Sequence, residues 1–149
     1  MSFQAKVDLW FLALFYGFGI GMIVAAPFMW KARRQGSAVA AVLLVAIGIL
    51  FVGIARQTSS VSFVITDDGY LDARGGWPFT GRIAHASAIT RIEPSNDPRA
   101  SHAASLDRLR VDHGNGGLIF IAVEDQEAFL DALAAKDPGL IRTETGIRR

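Results

Sequence analysis

The chain has no cysteine, which excludes disulfides, thiol catalysis and thiolate metal sites, and leaves its redox compartment undecided. Histidine is scarce: His85, His102 and His113. No two of them are spaced i, i+4, so all three are expected to be solvated surface side chains, with no metal and no other cofactor. The sequence also lacks a G-x-S-x-G elbow, a P-loop and a G-x-G-x-x-G turn after a strand. Asp67 and Asp68 stand side by side before Gly69, which turn chemistry explains without a catalytic carboxylate pair. The glycines of residues 114–117 lie between two strand patterns, as a hairpin turn requires. No catalytic residue is expected, and the chain is read as a non-enzyme.

Charge is missing from two long stretches. Residues 9–30 are 22 residues without one charge, and residues 38–55 are another 18, with seven residues (31–37) between them. A bilayer core of about 30 Å takes about 20 apolar residues as a helix. The spacing therefore predicts an antiparallel transmembrane hairpin over 9–55, after a short polar N-terminus (1–8). Trp10 and Trp30 lie 20 residues apart, about 30 Å along a helix, which suits one indole at each interface. A signal peptide would carry a shorter apolar region of about 7–15 residues and an A-x-A-like site, so cleavage is not expected. Neither span holds an Asp, Glu, Lys, Arg or His, which argues against an ion path or proton relay.

Gly17 and Gly21 form a small-x-x-x-small pair, the pattern of close helix contact. They can serve a dimer face, or they can admit the second span, with Ala41, Ala46, Gly48 and Gly53, inside the same hairpin. The second use is the expected one. The connection carries Lys31, Arg33 and Arg34 and no acid, so the positive-inside rule places it in the cytoplasm and the soluble part outside.

The soluble part is mildly acidic, with 11 basic against 13 acidic residues from Arg56 onward. That balance argues against nucleic acid as a partner. After a tether (56–60), hydrophobic residues alternate with period two: Val61, Phe63, Ile65, then Leu71 and Ala73 beyond the Asp67-Asp68-Gly69 turn. Trp77, Phe79 and Ile83 continue the inner face, and the three-residue spacing of Ile89 and Ile92 predicts a bulge. Residues 94–102 are rich in breakers, Leu109 and Val111 mark a further strand, and residues 118–123 are apolar on both faces, as in a central strand. Asp125 then caps an amphipathic helix over 126–136, ended by Pro138-Gly139. Residues 142–149 have nothing to pack and are read as a flexible tail after a domain at 61–141.

This order of strands and one closing helix, with the runs VITDDGYLDARGG and SLDRLRVDHGNGGLIFIAVEDQEAFLDALAAKDPGL, resembles a bacterial pleckstrin-homology-like family carried behind a transmembrane hairpin. The resemblance covers residues 61–140, and Ser105-Leu106-Asp107-Arg108-Leu109 is its most specific stretch. It implies a membrane protein of α+β class: a two-helix hairpin, then an antiparallel barrel or sandwich capped by a C-terminal helix. It implies no settled activity. Asp107 is expected to accept backbone hydrogen bonds from the preceding loop, and the alternative is an interaction rim of Ser105, Asp107, Arg108 and Arg110. Phosphoinositide-binding relatives use basic residues at the first hairpin, where this chain has Asp67-Asp68, so inositol lipids are not expected.

The reading that results is a multi-pass protein of the bacterial inner membrane. It presents a small domain for contact with a protein partner or with itself at the bilayer. The alternative is a lipid or envelope-ligand domain with Arg74, Arg82 and Arg91 as its cationic patch.

Overall fold

The structure, a computed structural model, describes residues 1–31, 36–75, 80–97, 104–114 and 116–149. It divides into two compact units, Asp8–Gln57 and Met1–Val7 together with Thr58–Arg149.

The first unit is a pair of antiparallel helices, α1 (Leu9–Lys31) and α2 (Ser37–Ser59), whose last residues run beyond the unit's boundary. Each has 23 residues and is long and apolar enough to cross a bilayer. The Asp8 carbonyl accepts from the Phe11 and Leu12 amides and starts α1. Pro27 falls in the last turns of α1. Four of the five residues expected to form a tether are helical instead, because α2 continues through Arg56 to Ser59 and only two residues separate it from the next strand.

The second unit is a sandwich. One sheet has the order β1-β2-β3-β4, from Ser2–Gln4, Ser62–Ile65, Tyr70–Arg74 and Gly81–His85. The other has the order β7-β6-β5-β9-β8, from Gly117–Ile121, Arg108–His113, Ile89–Ser95, Ile147–Arg148 and Ile141–Arg142. All pairings are antiparallel. Among the described residues, one isolated bridge, Ala5 to Val123, joins the two sheets, which do not close into a barrel. Phe63, Ile65, Leu71, Ile92, Leu109, Val111 and Ile121 fill the space between them, and helix α3 (Gln126–Ala134) adds Phe129, Leu130 and Leu133. Asp125 caps α3 through its side chain, which accepts from the Ala128 amide at 3.0 Å.

Local irregularities follow the residue pattern. The register shifts between Ile89 and Arg91, the bulge expected from the Ile89–Ile92 spacing. A second shift at Leu71/Asp72 pairs Asp72 with Arg82 and Leu71 with Ala84, which leaves Ile83 between the two pairs. Trp77 and Phe79 lie outside the described residues.

Three expectations are corrected. The polar lead is not a separate N-terminus: Ser2, Phe3 and Gln4 pair with Val64, Phe63 and Ser62 as strand β1. The apolar strand β7 is an edge and not central, because the strands that follow it in the chain join the far side of its sheet. The tail is not flexible. Ile147 is buried and pairs with Ile92, and Arg142 reaches Glu127 and Asp131 on α3. Those carboxylates sit four apart on one helix face, which supplied the tail with an anchor.

Gly146 makes this closing hairpin possible. A Cβ there would lie 2.0 Å from the Ile92 carbonyl oxygen. Gly146→Ala is expected to detach β8 and β9, at a cost of about 2 kcal/mol, the burial of Ile147. Thermal unfolding of the full chain and amide exchange at Ile147 measure it. Unchanged protection at Ile147 would refute the contact.

Candidate functional site

The run Ser105–Arg108 forms a corner that holds three separate segments. Ser105 is 1% exposed, and its Oγ accepts from the Asp107 amide at 3.1 Å, a local turn that fixes the chain before β6. Arg108 is 8% exposed. Its Nε donates to the Ser105 carbonyl and its Nη1 to the Asp97 carbonyl at 3.0 Å, so one guanidinium gathers both ends of the loop between β5 and β6. Asp107 is turned outward. Its carboxylate accepts from Lys6 Nζ at 2.6 Å and from Gln126 Nε2 at 3.0 Å. It thereby fastens the N-terminal lead and the first residue of α3 to the same point.

The roles expected from the sequence are redistributed. Among the described bonds, Arg108 is the side chain that reaches the loop's carbonyls, and the described partners of the Asp107 carboxylate are the side chains of Lys6 and Gln126. Ser105 and Arg108 are too buried to form a rim. Asp107 and Arg110 remain at the surface, and Arg110 Nε lies 3.0 Å from Asp112 Oδ1 on its own strand. Lys6 and Gln126 were not singled out in the sequence. The lone cation before the first apolar run was the available sign of Lys6.

The outer face of the five-stranded sheet is a charge lattice. Arg91 pairs with Glu93 along β5, and Arg110 with Asp112 along β6. Across the strands, Arg91 stands opposite Asp112, and Glu93 opposite Arg110. Each arginine therefore has a carboxylate beside it and one across from it. The supposed cationic patch does not assemble: Arg91 lies in this sheet, and Arg74 and Arg82 in the other. Arg82 sits 3.9 Å over the Tyr70 ring, with its Nε 3.5 Å from Asp72 Oδ1. At the β2–β3 turn, where Gly69 takes φ +82°, Asp67 is exposed, with Lys136 Nζ at 3.4 Å.

His85 is not a loose surface side chain. Its Nδ1 accepts from the Ser87 amide at 3.1 Å and caps the 3-10 turn Ala86–Ala88, and its Nε2 lies 2.9 Å from the Asp68 carbonyl. With Nδ1 accepting, Nε2 carries the proton and donates. His113 is half-buried, and His102 lies outside the described residues. Among the described residues, no group of three His, Asp or Glu side chains is arranged to hold a metal.

Two groups that bond the closing hairpin to the rest of the domain have shifted pKa values. The Gly139 amide and the Arg149 guanidinium hold the Asp137 carboxyl below its ordinary value of 3.8. Burial works against the charge on Arg142, but Asp131 and Glu127 outweigh it and push its pKa up. A carboxyl lowered in the folded state stabilises above its unfolded pKa, and that contribution fades as pH falls through the folded value. The Arg149 end of β9 is thus expected to hold from neutrality to about pH 4 and loosen below it. Amide exchange at Ile147 against pH, in wild type and Asp137→Asn, checks this. Identical acid profiles would refute it.

In the helical unit, Gly17 and Gly21 do not carry the contact between α1 and α2. Added Cβ atoms there would meet nothing within 4 Å, whereas one on Gly19 would lie 2.8 Å from the Gly48 carbonyl oxygen. Gly19, between the motif glycines, is the residue that faces Gly48, and it places the small-x-x-x-small pair on another side.

Residues 61–137, just over half the chain, match the Bacterial PH domain family. The chain belongs to that family, and it carries two long apolar helices ahead of the matched segment. No curated protein and no solved structure matches it significantly.

Proposed function

We propose that this is a multi-pass protein of the bacterial inner membrane, with its PH-like domain on the extracytoplasmic side. The domain works by contact with a protein partner and performs no catalysis. The charge lattice of β5 and β6 carries this reading. Arginines already matched by carboxylates attract a polyanion weakly, yet they offer a patterned surface that selects a partner of complementary pattern. The acidic Asp67-Asp68 turn argues in the same direction against phosphorylated head groups. The sidedness rests on the clustered positive charge of residues 31–34.

Photo-crosslinking side chains at Arg91 and Leu118, with Glu144 as a control position, test the contact in native membranes. Discrete protein adducts at the first two and not at the third are expected. Adducts to lipid alone, or none at all, would overturn the reading. Single cysteines at Ser37 and Glu144 in this cysteine-free chain, labelled with an impermeant maleimide, test the sidedness. Labelling at Ser37 alone would reverse it.

A further inference from the structure

The N-terminal lead is bonded on both of its edges. On one side β1 pairs with β2, and Met1 and Ile65 exchange two backbone bonds at 2.8 and 2.9 Å. The Ala5 amide continues this edge to the Val61 carbonyl at 3.0 Å. On the other side the Lys6 amide donates to the Ala122 carbonyl at 3.0 Å, and the Glu124 amide to the Gln4 carbonyl at 3.1 Å. The lead therefore lies as a strand inserted between two sheet edges, the way an extended peptide is taken up by strand addition.

Its side chains occupy distinct seats. Phe3 meets Phe129 edge-on, with ring centroids 5.4 Å apart. Ala5 is 3% exposed and packs into the core, so its seat is a buried one taken by a small side chain. Lys6 reaches Asp107. Every wall of this groove (Val61–Ile65, Ala122–Glu124, Asp107 and Phe129) lies inside the segment matched to the family, and the lead lies outside it. The family's domain thus supplies a groove, and a separate stretch of this chain fills it.

The lead is short, and only part of it is buried: Ser2 and Gln4 are exposed, and the Lys6–Asp107 pair is half in solvent. Such segments open at the low end of a protein's local unfolding free energies.

We propose that this groove is a strand-accepting peptide site, closed in this structure by the chain's own lead. The partner it fits is an extended segment with an aromatic residue, a small residue two positions on, and a basic residue immediately after. This deepens the protein-contact reading and rests on it.

The full chain in phosphatidylcholine nanodiscs is tested with a fluorescein-labelled peptide of residues 1–7. Ser2 and Val64 are partners between hydrogen-bonded pairs, where Cα atoms lie about 4.5 Å apart, close enough for a disulfide. Ser2→Cys with Val64→Cys therefore locks the lead down when oxidised. Phe3→Ser frees it, and Lys6→Glu frees it more gently without touching the core.

Binding of the peptide at least tenfold tighter to the freed variants than to wild type is expected, with none to the oxidised lock and recovery on reduction. A peptide carrying Phe3→Ala and Lys6→Glu should not bind. Equal binding to freed, wild-type and locked protein would overturn the proposal, as would no binding to either freed variant. Uptake of the peptide without protein adducts at Arg91 and Leu118 would leave the groove standing and remove the surface reading. The reverse result would do the opposite.

Discussion

Arg108→Ala is expected to destabilise the PH-like domain by about 3 kcal/mol, because hydrogen bonds from a charged donor are worth about 1.5–3 kcal/mol each and two are lost. The guanidinium is 8% exposed and donates to the carbonyls of Ser105 and Asp97. Truncation leaves those carbonyls short of donors in a place where water enters poorly. Arg108→Lys tests the geometry apart from the charge. An ammonium keeps the cation but cannot present the planar fork that reaches two carbonyls at once, so it should recover less than half of the loss. For a domain of this size the alanine variant should melt roughly 10–20 °C lower. Near-UV circular dichroism of the full chain in detergent follows it. A shift under about 2 °C would mean that the loop is held by something other than Arg108.

That expectation could not have been drawn from the sequence, and the reason is instructive. Asp107 and Arg108 are neighbours on an extended chain, so they had to face opposite ways, and the pattern did not say which faced in. A carboxylate turned toward a loop's amides is the commoner arrangement at turns, yet here the guanidinium points inward and the carboxylate outward. The residues that decided it, Lys6 and Gln126, lie 101 and 19 positions from Asp107 in the chain. Features set by nearby residues were legible: the two apolar helices, the Asp125 cap, the Ile89–Ile92 bulge and the strand alternation. Those that depend on distant partners were not. The lead reads as a polar stub until β2 stands beside it. The tail reads as disordered until α3 offers Glu127 and Asp131 to Arg142. In the same way β7, apolar on both faces, reads as central, although the chain returns to the opposite side of its sheet.

The helix pair invites the sharpest contrast. Gly17 and Gly21 match a known contact pattern, while Gly19 and Gly48 make the contact. A Cβ on Gly19 would lie 2.8 Å from the Gly48 carbonyl oxygen and 2.8 Å from Val52 Cγ2, and one on Gly48 would lie 2.6 Å from the Gly19 carbonyl oxygen. Both obstacles include backbone, which cannot swing aside as a side chain does. Gly19→Val must therefore push the helices apart, giving up packing contacts between them such as Phe15 against Phe51, whose rings lie 5.2 Å apart. Overpacking of this kind costs about 1–3 kcal/mol, and in a bilayer the loss falls on packing, which is what holds helices together there. Gly17→Ala and Gly21→Ala meet open space and should be neutral, or gain up to about 1 kcal/mol from helix propensity. Unfolding of the full chain in mixed SDS and dodecyl maltoside micelles ranks the three. If Gly17→Ala or Gly21→Ala costs as much as Gly19→Val, those glycines are already in contact with something outside the chain. A second helix pair on that face would then be the first partner to look for.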